Sequence, residues 1–170
     1  MQLFWFNGTL ILVTLLPVSI LAYGSTVESI IDSTLEDAPE YLTANAEKFH
    51  VNSVKSLVRS CPFSFYETLL NGEVTYTIDI CINATRLIIL PPNSIAKKVD
   101  IGKTKLDISI QVRKAPHPNV TLELSAPVFD DAYVYIGSWP IGAGLFKNLI
   151  ISQAKTMLEG ELRSFISALG

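Results

Sequence analysis

Residues 105–113 read Lys-Leu-Asp-Ile-Ser-Ile-Gln-Val-Arg, with an apolar side chain at every second position. A strand sends successive side chains to opposite faces. Leu106, Ile108, Ile110 and Val112 therefore share one face, and Lys105, Asp107, Ser109, Gln111 and Arg113 the other. Helical spacing does not produce that division. One greasy and one wet face define an antiparallel sheet solvated on one side. The same period resumes after Ala115-Pro116-His117-Pro118, where Val120, Leu122 and Leu124 alternate with Asn119, Thr121 and Glu123. Residues 86–90 and 128–136 predict two further strands.

Upstream, Phe63, Phe65 and Leu69 alternate, as do Val74, Tyr76, Ile78 and Ile80, with Asn71-Gly72 between the runs. Asn-Gly flanked by alternating hydrophobes is a strong hairpin signal. A two-residue turn pairs Leu69 with Val74, Phe65 with Ile78 and Phe63 with Ile80, and sets Ser64 opposite Asp79 and Thr68 opposite Thr75. Cys61 and Cys81, the only two cysteines, then fall one residue out of line. Facing them directly would slip the register by one residue and turn the whole apolar set over. The core pattern therefore wins, and Pro62, which has no N–H for the ladder, marks a bulge that brings the sulfurs together as a disulfide.

Helical spacing brackets the strands. Ser25-Thr26-Val27-Glu28 has the capping-box pattern, and Val27, Ile30, Ile31, Leu35 and Ala38 follow on one face. Pro39 is expected to end or kink that helix, with Asp37 capping the next. In residues 41–59 the placement of Phe49, Val51, Val54, Leu57 and Val58 fits a helix better than a strand. Residues 145–169 carry a wide stripe of Phe146, Leu149, Ile150, Ala154, Met157, Leu158, Leu162, Phe165, Ile166 and Leu169. That helix would run roughly 37 Å, enough to cross a sheet face. The expected fold is α+β: N-terminal helices, an antiparallel meander of five to six strands, and a long amphipathic C-terminal helix packed on the sheet.

Residues 1–24 hold no charged side chain, and residues 10–22 are almost continuously apolar. About 13 residues is too short to span a bilayer and suits a signal-peptide core, with Ala22-Tyr23-Gly24 as the cleavage pattern. An uncleaved anchor is the alternative. Residues 25–170 then form one secreted domain. Its 13 basic and 16 acidic residues leave it near neutral, and no basic patch in the sequence argues for nucleic acid or an anionic membrane as a partner. Asn83-Ala84-Thr85 and Asn119-Val120-Thr121 are sequons, and Asn119 falls on the wet face of its strand. A third, Asn7-Gly8-Thr9, lies in the leader.

The chemistry that marks an enzyme is sparse. His50 and His117 are the only histidines, and a disulfide would remove both cysteines as nucleophiles or metal ligands. Asp130 and Asp131 are neighbours on an expected strand and point to opposite faces, so a calcium site there is disfavoured against a solvated turn. Residues 137–144, Gly-Ser-Trp-Pro-Ile-Gly-Ala-Gly, lack the Gly-Lys-Ser/Thr of a phosphate loop. They read as a structural turn in which Trp139 and Ile141 pack at an end of the sheet. No cofactor and no catalytic residue is expected.

Leader, helix, antiparallel strands, long apolar C-terminal helix and the Cys61–Cys81 pair together resemble the tubular lipid-binding superfamily. That group includes the bactericidal/permeability-increasing-like proteins, the insect takeout proteins and the mite group 7 allergens. The resemblance covers the architecture of residues 25–170, in a chain shorter than a typical member. The element order is also similar to a helix-grip lipid fold lacking its first strand. Both resemblances imply an apolar ligand held between sheet and helix. The expected function is a secreted glycoprotein that binds or carries a lipid-like molecule. Its expected lining is Phe65, Ile78, Leu106, Ile108, Ile110, Leu122, Leu124, Ile150, Ala154 and Met157, with a transient membrane or receptor contact compatible with that role. The alternative is a protein-binding effector or inhibitor with a filled core.

Overall fold

In the computed structural model, residues 24–70, 72–91, 95–113 and 119–169 are described. The leader, its sequon and His117 lie outside them. The chain runs α1 (Gly24–Ala44), α2 (Ala46–Phe49), β1 (Val51–Ser53), β2 (Ser56–Arg59), β3 (Ser64–Leu70), β4 (Glu73–Ile89), β5 (Ala96–Arg113), β6 (Asn119–Ile136), β7 (Trp139–Gly142), a 3-10 turn (Ala143–Phe146) and α3 (Lys147–Leu169). This is an α+β fold with a seven-stranded antiparallel sheet, one or two strands more than expected. The spatial order is β1-β4-β5-β6-β7, and β2 and β3 continue the edge along β4.

The β3–β4 hairpin has the register the alternation predicts. Leu69 faces Val74, Phe65 faces Ile78, Thr68 faces Thr75 and Ser64 faces Asp79. Beyond Ser64 the ladder breaks, so Phe63 and Ile80, expected to pair, are not ladder partners. Arg59 lies opposite Ile82 and Ser64 opposite Asp79, so five steps on the edge match three on β4. The extra residues bulge around Cys61-Pro62, and the disulfide closes there, with Cys61 and Cys81 Cα atoms 5.3 Å apart.

Two expectations near the N-terminus are corrected. α1 continues through Pro39 to Ala44, so the helix does not end at the proline and Asp37 lies within it instead of capping a second helix. The Glu28 carboxylate accepts hydrogen bonds from the Arg59 guanidinium and the Phe63 amide, both at 3.0 Å. Helical structure ends at Phe49, where His50 turns left-handed at φ 55°. Residues 51–59 then form two short strands instead of a helix. β-Branched Val51 and Val58 suit strands, and the edge of β4 supplies partners that local spacing does not reveal.

The strands are also longer than expected. Residues 86–90 and 128–136 are not separate strands, because β4 and β6 run through them unbroken. Pro127 is accommodated at a bulge: Lys105 pairs with Val128 and Asp107 with Ser125, so β6 advances three residues against two on β5.

A second irregularity crosses three strands. Thr85 pairs with Lys103 and Leu87 with Ile101, which sets Arg86 opposite Gly102. Lys103 pairs with Asp130 and Ile101 with Ala132, which sets Gly102 opposite Asp131. Arg86 and Asp131 both have φ 50°. A Cβ at position 102 would stand 2.6 Å from the Asp131 Cβ, so only glycine admits that approach. Across this row the buried positions change parity, from Ile110 and Thr104 on one side to Ile101 and Val99 on the other. Both sets nevertheless meet the C-terminal helical segment. Ile78, Ile110, Val112, Val120 and Leu122 pack with Leu158 and Leu162. Val99, Ile101, Val134 and Ala143 pack with Phe146 and Ile150. The row of left-handed residues thus keeps one face of a long sheet apolar by reversing the alternation midway.

The 3-10 turn contacts the sheet through Phe146, and α3 through Ile150, Leu158 and Leu162. Two expected stripe members turn away from it. Leu149 is 57% exposed and Met157 36% exposed. A contact line spaced by four residues drifts about 40° per step around a helix of 3.6 residues per turn, so it winds off the flank that carries Leu149 and Met157. Trp139 is also corrected. Residues 137–144 were expected to be a turn, but Trp139 opens strand β7 opposite Ile136 at the sheet end and is 77% exposed rather than packed. Ile141 is half-buried.

Candidate functional site

Two helices lie on the same face of the sheet and share little core. α1 seats Ile31 and Leu35 on Ile80, with Leu57, Ile82 and Ile108 beside them. α3 seats Leu162 on Ile78, Ile110 and Leu122. The two clusters meet through Phe63 and Ile108, which pack against both. Ile80, Ile108 and Leu124 form one row across β4, β5 and β6. Along the row burial falls from Ile80, 2% exposed, to the half-buried Ile108 and Leu124. Leu106 and Phe65 are half-buried as well. The apolar face therefore keeps an incompletely covered strip. At one end α2 and α3 are tied by Lys48 and Glu161, 3.4 Å apart.

The predicted lining residues divide accordingly. Ile78, Ile110 and Leu122 are the floor of a packed cluster, and Phe65 and Ile108 pack against it. Ile150 belongs to the other cluster, beyond the Gly102 row. Leu106, Leu124 and Ala154 are half-buried, and Met157 is on the outer flank of α3.

A site that the sequence reading missed lies between α1 and β2. Asp32, Leu35, Glu36 and Pro39 form one wall, and residues 55–62 the other, of an open groove of about 710 Å³. Arg59 organises it. Its guanidinium donates to both Asp32 carboxylate oxygens at 2.8 and 2.9 Å, to Glu28 at 3.0 Å and to the Cys61 carbonyl at 3.0 Å. The Arg59 hydrogen bond holds the Asp32 carboxyl below its ordinary range, against a smaller opposing effect of burial. Asp32 in turn holds Arg59 further into its charged form. The legible signal was Glu28, Asp32 and Glu36, an acidic line at helical spacing.

The opposite face is polar. Asn83 and Asn119 are both exposed there, and a shallow depression of about 390 Å³ is lined by Asp79, Asp107, Ser109, Glu123 and Ser125 among others. Among the described residues no group of three metal-ligating side chains gathers, and no helix is long and apolar enough to cross a membrane. The disulfide indicates an oxidising, non-cytoplasmic compartment. No family model, curated protein or solved structure matches the chain.

Proposed function

We propose that this is a secreted glycoprotein that binds or carries an apolar, lipid-like molecule against the helix-bearing face of its sheet. The observation that carries the reading is the strip where the α1 and α3 clusters meet, in which Leu106, Ile108 and Leu124 stay half-buried and Phe65 packs at the margin of the α3 cluster. Burial of each ligand methylene there contributes about 0.8 kcal/mol, so an acyl chain gains affinity by length. The architecture-level resemblance to tubular lipid-binding proteins supports the same reading by analogy. The apolar leader and the disulfide support secretion, and the exposure of Asn83 and Asn119 supports glycosylation.

Native mass spectrometry of protein secreted by eukaryotic cells tests the proposal. A lipid-sized adduct that extracts into organic solvent is expected. A clean apo mass, together with no uptake of a fluorescent fatty acid, overturns it. The groove beside Arg59 favours a second reading, a protein-binding effector whose core is filled by Ile78, Ile110, Leu122 and Leu162. That reading expects the clean mass.

A further inference from the structure

The end of the sheet where β5 begins and β6 turns into β7 carries side chains that water does not favour. Ala96 and Trp139 flank Ile136 on either side. Trp139 is 77% exposed and Ile95, the residue before β5, is 81% exposed. Lys97 is exposed at an irregularity in the β5–β6 ladder. The ammonium of Lys98 lies 4.2 Å from the centre of the Tyr135 ring, and Asp100 stands 3.6 Å from the same ammonium. The group thus has one lysine, Lys97, in excess of its acidic residue.

Two further features narrow what fits this end. β7 is an edge strand, but Pro140 removes one of its backbone donors, which blunts it for strand addition by a protein partner or a second copy. Both sequons lie far away. Asn119 starts β6 at the opposite end from Ile136, roughly 55 Å along the strand, and Asn83 pairs with Lys105, about 30 Å from Ala96. A bulky glycan at either position leaves this end clear.

Tryptophan and tyrosine with adjacent lysines are the side chains that settle at the headgroup level of a bilayer. Lysine stems bury along apolar surface while their ammonium groups meet lipid phosphates. We propose that Ile95, Lys97, Lys98, Tyr135 and Trp139 form a membrane-docking tip that seats in the headgroup region of an anionic bilayer. The tip is independent of the strip between the helices: a carrier would use it to approach a donor membrane, and a protein without a lipid ligand would still dock by it.

The test reads Trp139 itself, because the leader is apolar and would bind lipid on its own account. In full-length protein carrying Trp5→Phe, Trp139 becomes the sole tryptophan. Mixed with phosphatidylcholine/phosphatidylserine vesicles, its emission is expected to shift to the blue and to be quenched by brominated phosphatidylcholine. Ile95→Ser and, in wild-type protein, Trp139→Ser are each expected to weaken tip-dependent vesicle binding by about tenfold. Lys97→Gln is expected to weaken it about fivefold, on anionic vesicles only. Unaltered circular dichroism in the serine variants separates lost docking from lost fold. Trp139 emission that neither shifts nor quenches while the protein co-sediments shows attachment by another segment and overturns the proposal. Equal quenching on neutral and anionic vesicles overturns the role of the lysines. Failure of a fatty-acid probe to bind, with quenching intact, refutes the carrier reading and leaves the tip standing.

Discussion

At position 102 the structure turns on a single hydrogen atom. A methyl group there would meet the Asp131 Cβ at 2.6 Å, in the row where Arg86 and Asp131 already hold left-handed backbone. Gly102→Ala is expected to destabilise the fold by about 1–3 kcal/mol. Asp131→Gly should recover most of that loss, because it removes the opposing Cβ and relaxes the positive φ at once. Urea unfolding of the two single variants and the double variant measures the coupling, and additive effects would contradict the row described here. Arg59 sets the second residue-scale expectation. Its hydrogen bond lowers the Asp32 pKa relative to the unfolded chain. Deprotonated Asp32 therefore contributes stability that is complete above its unfolded value and fades as the pH falls towards the lower folded value. Asp32→Asn should flatten the acid limb of stability against pH and change little at neutrality beyond the loss of the ion pair. The pair is exposed, so the effect shrinks in high salt. An acid limb unchanged in Asp32→Asn would show that the ion pair does not couple to folding.

Among the elements, the β3–β4 hairpin was legible from its turn as far as Ser64, because Asn-Gly and two-residue alternation specify register locally; the expected Phe63–Ile80 pair fell at the bulge. The Cys61–Cys81 bridge followed from that register, with Pro62 at the bulge. Its separation of 20 residues implies a loss of about 3 kcal/mol in Cys61→Ser/Cys81→Ser, and peptide mapping without reduction should recover the two cysteines linked. Residues 51–59 were misread as helix because their strand character depends on the β4 edge, a partner distant in sequence. The continuity of β4 and β6 was hidden for a related reason. A proline at a bulge and an arginine or aspartate at positive φ interrupt the alternation without ending the ladder. In α3 the apolar stripe was wider in sequence than in contact. Leu162 is 4% exposed against 36% for Met157, so Leu162→Ala should cost about 3 kcal/mol and Met157→Ala under about 1 kcal/mol. Equal losses in thermal unfolding would mean that the helix sits on the sheet by a different face.

On the scale of the whole molecule, sequence identified the apolar face but not how two helices divide it. Periodicity reports which side chains face inward. It does not report whether the space above them is filled, because that depends on where α1 lands relative to α3. Ile78 and Ile108 carry the same signal in the sequence, yet Ile78 is 2% exposed and built into the α3 cluster, while Ile108 is half-buried where the two clusters meet. Tryptophan at each position separates filled core from open strip. Ile78→Trp must displace Ile110, Leu122 or Leu162 and should overpack the core by about 1–3 kcal/mol or more. Ile108→Trp and Leu124→Trp have the uncovered strip to occupy, so their unfolding midpoints should stay close to wild type while a fluorescent fatty acid loses its place. Comparable destabilisation at all three positions, in a protein that never takes up the probe, would show that the strip closes over in solution and would leave the face as core. Retained probe binding in both strip variants would instead move the ligand off the Ile108–Leu124 row, and the carrier reading in its present form would fail with it.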